Sequence, residues 1–253
     1  MPQPKEAAYE LIEHLNDLVL RGERDELAIH RVKREAERLK NTDPASAYLL
    51  LGMVACLERD LSSSRKYHQK ALNARNDFVT NINFALSLAR LGAISEATPY
   101  FERAVKIQPE NITALEMLID NVLTACRFRC TRDLLRKWKS LNPDKEHRLE
   151  KDIVNYVSIL EGNKVSDEEA ETLLKLASDQ MLANSLYPSF TNPVAEIEIF
   201  EEDSIKWVDY SINIQGKVDD VVEMNCRLAD VVAENVAPKV LKSIVIRYAV
   251  HGN

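Results

Sequence analysis

Apolar residues recur at three- and four-residue spacing over residues 5–184, and the pattern then changes to alternation. The first spacing puts side chains on one face of a helix, the second on one face of a strand. The clearest helical stretch is 79–110, where Phe84, Leu88 and Leu91 form one stripe and Ala97, Tyr100, Phe101, Ala104 and Val105 a second. Gly92 separates the two stripes. Pro109 closes the unit, because proline cannot continue a helix and pushes the residue before it out of helical dihedrals.

The same arrangement recurs on either side. Residues 5–20 carry Ala8, Leu11, Ile12, Leu15, Leu18 and Val19 on one face, Gly22 turns the chain, and 24–40 follow with Leu27, Ile29, Val32, Ala36 and Leu39. Residues 45–77 pair two helices through Tyr48, Leu51, Gly52, Ala55, Leu61, Ser64, Ala71 and Leu72. Glycine at 52 suits a close helix crossing. A third pair spans 112–143, and a further hairpin joins 146–161 to 166–184, whose second helix opens on a capping box of Ser166 and Glu169.

Near residues 187–193 the period changes. Residues 194–201 alternate, and 205–214 place Val208, Tyr210, Ile212 and Ile214 on one face, which predicts two strands with a hairpin loop at 201–204. A helix over 218–235 carries the stripe Val218, Val221, Val222, Cys226, Leu228, Ala229 and Val232, and a third strand lies within 241–250. A right-handed crossover makes that strand parallel to the second.

The helical stretch resembles the tetratricopeptide repeat. Phe84, Ala85, Leu88, Gly92, Ala97, Phe101, Ala104 and Pro109 supply its packing, turn and closing positions in order. The positions 109 and 143 of the closing prolines keep the family period of about 34 residues. Departures from the pattern are Asn81 and His68 where aromatics are usual, Arg59 for the turn glycine, Asn76 for proline, and bulky Trp138 late in the third unit. The resemblance implies a mainly α fold: a right-handed α-solenoid of helical hairpins over 1–187, with repeats 45–77, 78–111 and 112–145 and a capping hairpin 146–184. A small α+β domain, ββαβ, then occupies 188–253.

The resemblance further implies partner binding along the first helices of the repeats, which by register brings in Leu49, Met53, Ile82, Asn83, Leu86, Arg90, Glu116 and Asp120. Such a groove is apolar at one end and acidic at the other, and suits a peptide or an amphipathic helix with basic residues. The family's carboxylate clamp is missing, since Leu49 and Met53 stand where it needs lysine and asparagine.

Composition narrows the classes. The formal net charge is −7, which gives no general reason to expect nucleic-acid or membrane binding. No apolar run reaches the length of a membrane helix, and the first ten residues lack a secretory apolar core, so a cytoplasmic protein is expected. No phosphate-cradling loop, nucleophile elbow or zinc-protease helix is present. Cys126 and Cys130 are the one close cysteine pair, without the further ligands a zinc site needs. No cofactor, metal or enzymatic activity is therefore expected.

One segment is strongly basic. Between Arg127 and Lys139 lie Arg127, Arg129, Arg132, Arg136, Lys137 and Lys139, with Phe128 and Trp138 among them. The favoured reading is the solvated face of a repeat helix with both aromatics packed inward; the alternative is a regulator that contacts nucleic acid there. The expected function is thus protein binding, as adaptor, chaperone or regulator. The C-terminal domain is expected to dock on the array, pair with a second copy, or bind a ligand of its own, with the acids Glu196 and Glu198 along a candidate edge strand.

Overall fold

The structure is a computed structural model that describes residues 4–21, 25–188 and 194–250; side chains are described within 10–18, 25–188 and 194–250. The turn expected at Gly22, and the side chains of Ala8 and Val19, lie outside these. The described residues are mainly helical, with a small sheet near the C-terminus. Two compact units divide the chain, Met1–Pro109 and Glu110–Asn253.

The first unit holds α1 (Pro4–Arg21), α2 (Glu26–Leu39), α3 (Pro44–Leu57), α4 (Leu61–Ala74), α5 (Phe78–Arg90) and α6 (Ile94–Ile107). Aspartates start four of them. Asp25, Asp43, Asp60 and Asp77 each accept from orphan backbone N–H groups in the first turn of α2, α3, α4 and α5. Helix α3 is apolar on nearly every side and is accordingly buried on every side, packed by α1, α2, α4 and α5. Leu11, Ile12, Leu15 and Leu18 of α1 and Ile29, Val32, Ala36 and Leu39 of α2 close over it. Leu27, expected inward, is 83% exposed, because it lies just after the cap on the opposite side of α2.

Close approach of α3 and α4 depends on Gly52. A Cβ there would meet the His68 ring at 2.6 Å. His68 is buried, stacks on Phe84 at 5.0 Å between centroids, and its Nε2 lies 2.9 Å from Ser87 Oγ. Ser64 Oγ donates to the Gly52 carbonyl. Asn81, at the position usually aromatic, is buried, and its amide donates to Asn76 Oδ1 and to the Asp77 carbonyl.

The second unit holds α7 (Ile112–Thr124), α8 (Phe128–Leu141), α9 (Glu150–Gly162), α10 (Asp167–Ala183), β1 (Ala195–Glu202), β2 (Ile205–Ile214), α11 (Val218–Asn235), the single turn α12 (Pro238–Leu241) and β3 (Ile244–Val250). The sheet runs in the order β1-β2-β3, with β1 antiparallel to β2 and β2 parallel to β3. The hairpin turns on Asp203 and Ser204, both with positive φ, the geometry that matches strand twist in a two-residue loop. Val208, Tyr210, Ile212 and Ile214 are buried together with Ile244 and Tyr248, and helices α9, α10 and α11 pack against the sheet. The change of period near residue 187 therefore falls inside this unit.

One backbone motif recurs through both units. Arg59, Gly92, Cys126 and Lys164 each take positive φ after α3, α5, α7 and α9. In each case the next N–H reaches back to the carbonyl five residues earlier: Asp60 to Ala55, Ala93 to Leu88, Arg127 to Val122, Val165 to Leu160. This is the Schellman stop, which satisfies orphan carbonyls and reverses the chain. Only one of the four is glycine.

Candidate functional site

Of the residues expected to line a groove, Leu49 and Met53 lie inside the core of the first unit, packed with α1 and α2. They fill space and cannot read a partner; this corrects the expectation for both. Ile82 and Asn83 are also buried, and Asn83 turns its amide back to the Val79 carbonyl. Leu86 and Arg90 are half-buried. Burial holds the Arg90 guanidinium below its ordinary pKa, opposed by the neighbouring Cys56, whose own thiol is pushed up to about 11 by burial. The physical reason is common to all: α3 and α5 carry apolar residues on more than one face, so neighbouring helices cover the side the register assigns to partners.

Glu116 and Asp120 remain exposed, one turn apart on α7 of the second unit. Around them the sequence brings together residues it did not single out as a group. Trp138, buried on α8, donates its indole N–H to Glu116 Oε1 at 3.0 Å. His147 meets the indole edge-on at 4.8 Å between centroids. Arg148, from the loop after α8, forms a short ion pair with Asp120. Burial raises the Asp120 carboxyl above its ordinary pKa, with Arg148 pulling the other way. The indole that breaks the repeat pattern thus stands beside two exposed acids, one of which already pairs with a guanidinium.

The basic segment covers α8 from its cap nearly to its end, and three of its six charges are paired with acids of the same unit. Arg129 reaches Asp167 at 3.5 Å and Glu161 at 3.8 Å, Arg132 reaches Glu161 at 3.4 Å, and Arg136 reaches Asp133 at 2.8 Å. Arg127 and Lys137 carry no ion pair among the described residues. Phe128 is fully buried and Trp138 nearly so, so neither offers a stacking face.

Asp167 explains why α8 can start without a cap of its own. Its carboxylate accepts from the backbone N–H of Arg129 at 3.2 Å and of Cys130 at 2.9 Å. A side chain from the first turn of α10 therefore caps α8 across 38 residues of chain. Ser166 and Glu169 form the expected box on α10 itself. That box was visible as spacing; the sideways role of the residue between them was not.

Among the described residues no cluster of three or more His, Cys, Asp or Glu side chains could hold a metal ion, and no helix is long and apolar enough to cross a membrane. No protein-family model matches the chain. A comparison with curated proteins finds no significant match either.

Proposed function

We propose that the chain is a non-enzymatic, tetratricopeptide-like protein-binding module, and that the exposed face of α7 takes a basic segment of a partner. The reading rests chiefly on one observation: Asp120 already binds a guanidinium, that of Arg148, beside Glu116 and the Trp138 indole. An arginine from a partner would make the same charge-assisted pair in a place where the acid is half-shielded from water. The repeating Schellman stops at 59, 92 and 126 keep spacings of 33 and 34 residues, which supports the family reading in backbone terms where side chains depart from it. Such arrays work through their surfaces rather than through a reaction centre. The nucleic-acid alternative is weakened, since Arg129, Arg132 and Arg136 spend their charge on acids of the same unit.

Titration of the full chain with amphipathic peptides bearing one or two arginines tests this by calorimetry. Arg148→Ala removes the internal competitor and is expected to tighten binding several-fold, roughly 1 kcal/mol. Glu116→Lys with Asp120→Lys is expected to abolish it. If both variants bind as the parent does, the α7 face is not the site.

A further inference from the structure

Successive side chains of a strand point to opposite faces, so the ladder sorts the sheet residues into two sets. Val208, Tyr210, Ile212 and Ile214 of β2 form the inner set, each at most 1% exposed. The Tyr210 and Tyr248 hydroxyls reach the Thr124 and Ala177 carbonyls of α7 and α10, so the helical layer lies on that side. The outer set of β2 is Ile205, Trp207, Asp209, Ser211 and Asn213. Phe200 of β1 stands opposite Trp207, and Val245 of β3 opposite Asp209.

This outer face carries an apolar patch at its hairpin end. Ile205, Phe200 and Val245 are 63%, 44% and 41% exposed, and Trp207 is half-buried between them. Phe200 and Trp207 stack at 6.0 Å between centroids. By register Ile205 is the diagonal neighbour of Phe200, and Val245 that of Trp207, within reach for side chains of this size. A single exposed apolar residue is ordinary, but a contiguous group of them marks an interaction surface. The other end of the face covers itself: Arg247 lies across Asp209, and Ser211 and Asn213 are buried.

We propose that the outer face of the sheet docks a basic amphipathic helix of a partner protein over Phe200, Ile205, Trp207 and Val245. The shape of the patch suits a helix. It crosses three strands, roughly 10 Å from β1 to β3, which is the width one helix covers when it packs on a sheet as a second layer. The charge of the face sets the sign of the occupant. Glu198 and Glu202 flank Phe200 on the same side of β1, are exposed, and form no hydrogen bond or ion pair among the described residues. Lysines or arginines beside the apolar positions of a helix would meet both carboxylates. A second copy of the face meets neither. The one base among the outer strand positions is Arg247, held by Asp209 at 2.8 Å, so two such faces would set acids against acids with no free base between them.

This surface is separate from the α7 face, and its test does not depend on that reading. The full chain, labelled with ¹⁵N, is titrated with a blocked peptide of leucine and lysine in helical register, and with a peptide of the same composition scrambled out of that register. The expected result is amide shifts over residues 198–209 and 245–247. A response at 116–120 belongs to the α7 face and is unmoved by changes on the sheet. Affinity at the sheet is expected to fall by at least about tenfold for the scrambled peptide, and again for Phe200→Ser with Ile205→Ser, both at exposed positions. Glu198→Lys with Glu202→Lys is expected to weaken binding several-fold at low salt and less at high salt. The proposal is overturned if the helical peptide leaves the sheet amides unshifted at millimolar concentration, if the scrambled peptide binds there equally, or if both double variants bind as the parent does. Sedimentation showing a dimer that Phe200→Ser with Ile205→Ser dissociates would overturn it in favour of a second copy.

Discussion

The two units bury polar groups in different ways. In the first, the buried polar side chains meet neighbours on the adjacent helix or in the adjoining turn: His68 with Ser87, Ser64 with the Gly52 carbonyl, Asn81 with Asn76 just before its own helix. In the second, tyrosines tie the sheet to distant helices through main-chain carbonyls. Tyr156 donates to Ile197, Tyr210 to Thr124 and Tyr248 to Ala177, over sequence separations of 41, 86 and 71 residues. The first unit is built by stacking sequence neighbours, as a repeat is. The second carries long-range contacts whose loop-closure entropy must be overcome before they form. Local packing makes the first unit tolerant of surface change and sensitive at one ring; distributed hydrogen bonds make the second sensitive at several hydroxyls.

The largest effect that would sharpen this contrast is acid sensitivity of the first unit. Burial lowers the His68 pKa from 6.5 to about 3. The folded state therefore holds the ring neutral while the unfolded chain takes up a proton below 6.5. Stability is fully present above 6.5 and is lost as pH falls toward 3, by roughly 1.4 kcal/mol per pH unit for this group. His68→Phe keeps an aromatic ring over Gly52 and is expected to remove that share of the slope. Urea unfolding at pH 7 and pH 4.5, followed by hydrogen exchange in α3–α5, measures it. An unchanged slope would mean that the ring is not buried neutral.

A smaller effect probes the second unit. Tyr248 donates at 2.6 Å to the Ala177 carbonyl, with Gln180 Oε1 at 3.1 Å, and its phenol is held well above its ordinary pKa by burial. Tyr248→Phe removes the donor and leaves a buried carbonyl without it, at a cost of about 1–3 kcal/mol. The loss should appear as faster exchange in β2, β3 and α11, with α3–α5 untouched. Equal loosening of both units would break the distinction drawn between them.

How much of this was legible in the sequence follows the same division. The helices, the capping box at Ser166, the buried face of β2 and the parallel third strand were readable, because each depends on a period or spacing within one element. The groove residues were not. Register alone put Leu49 and Met53 on a partner face, yet α3 is apolar on every side, and that feature signals burial. The exposure of Val222 was equally hidden, since the period of α11 gave one broad stripe and only the position of β3 splits it in two. Asp167 capping α8, Arg148 on Asp120 and Asn225 on Tyr248 join residues that no local pattern links.

The smallest effect tests the feature the units share. Lys164 sits at φ 53, in the left-handed region, at the same point of its turn where Gly92 sits at φ 84. For a residue with a Cβ this conformation costs roughly 1–2 kcal/mol, which glycine avoids while giving back part in unfolded-chain entropy. The Lys164 side chain is exposed, and the Lys239 ammonium contacts its carbonyl rather than its amine, so shortening it removes no described contact. Lys164→Gly should therefore stabilise the second unit by about 0.5–1 kcal/mol, read as a rise in urea midpoint without change in slope. The same exchange at Cys126 should not help, because that side chain is fully buried and its removal opens a cavity. A gain at 164 with a loss at 126 separates backbone strain from packing within one recurring turn; a loss at both would mean that the turn residues are chosen for their side chains.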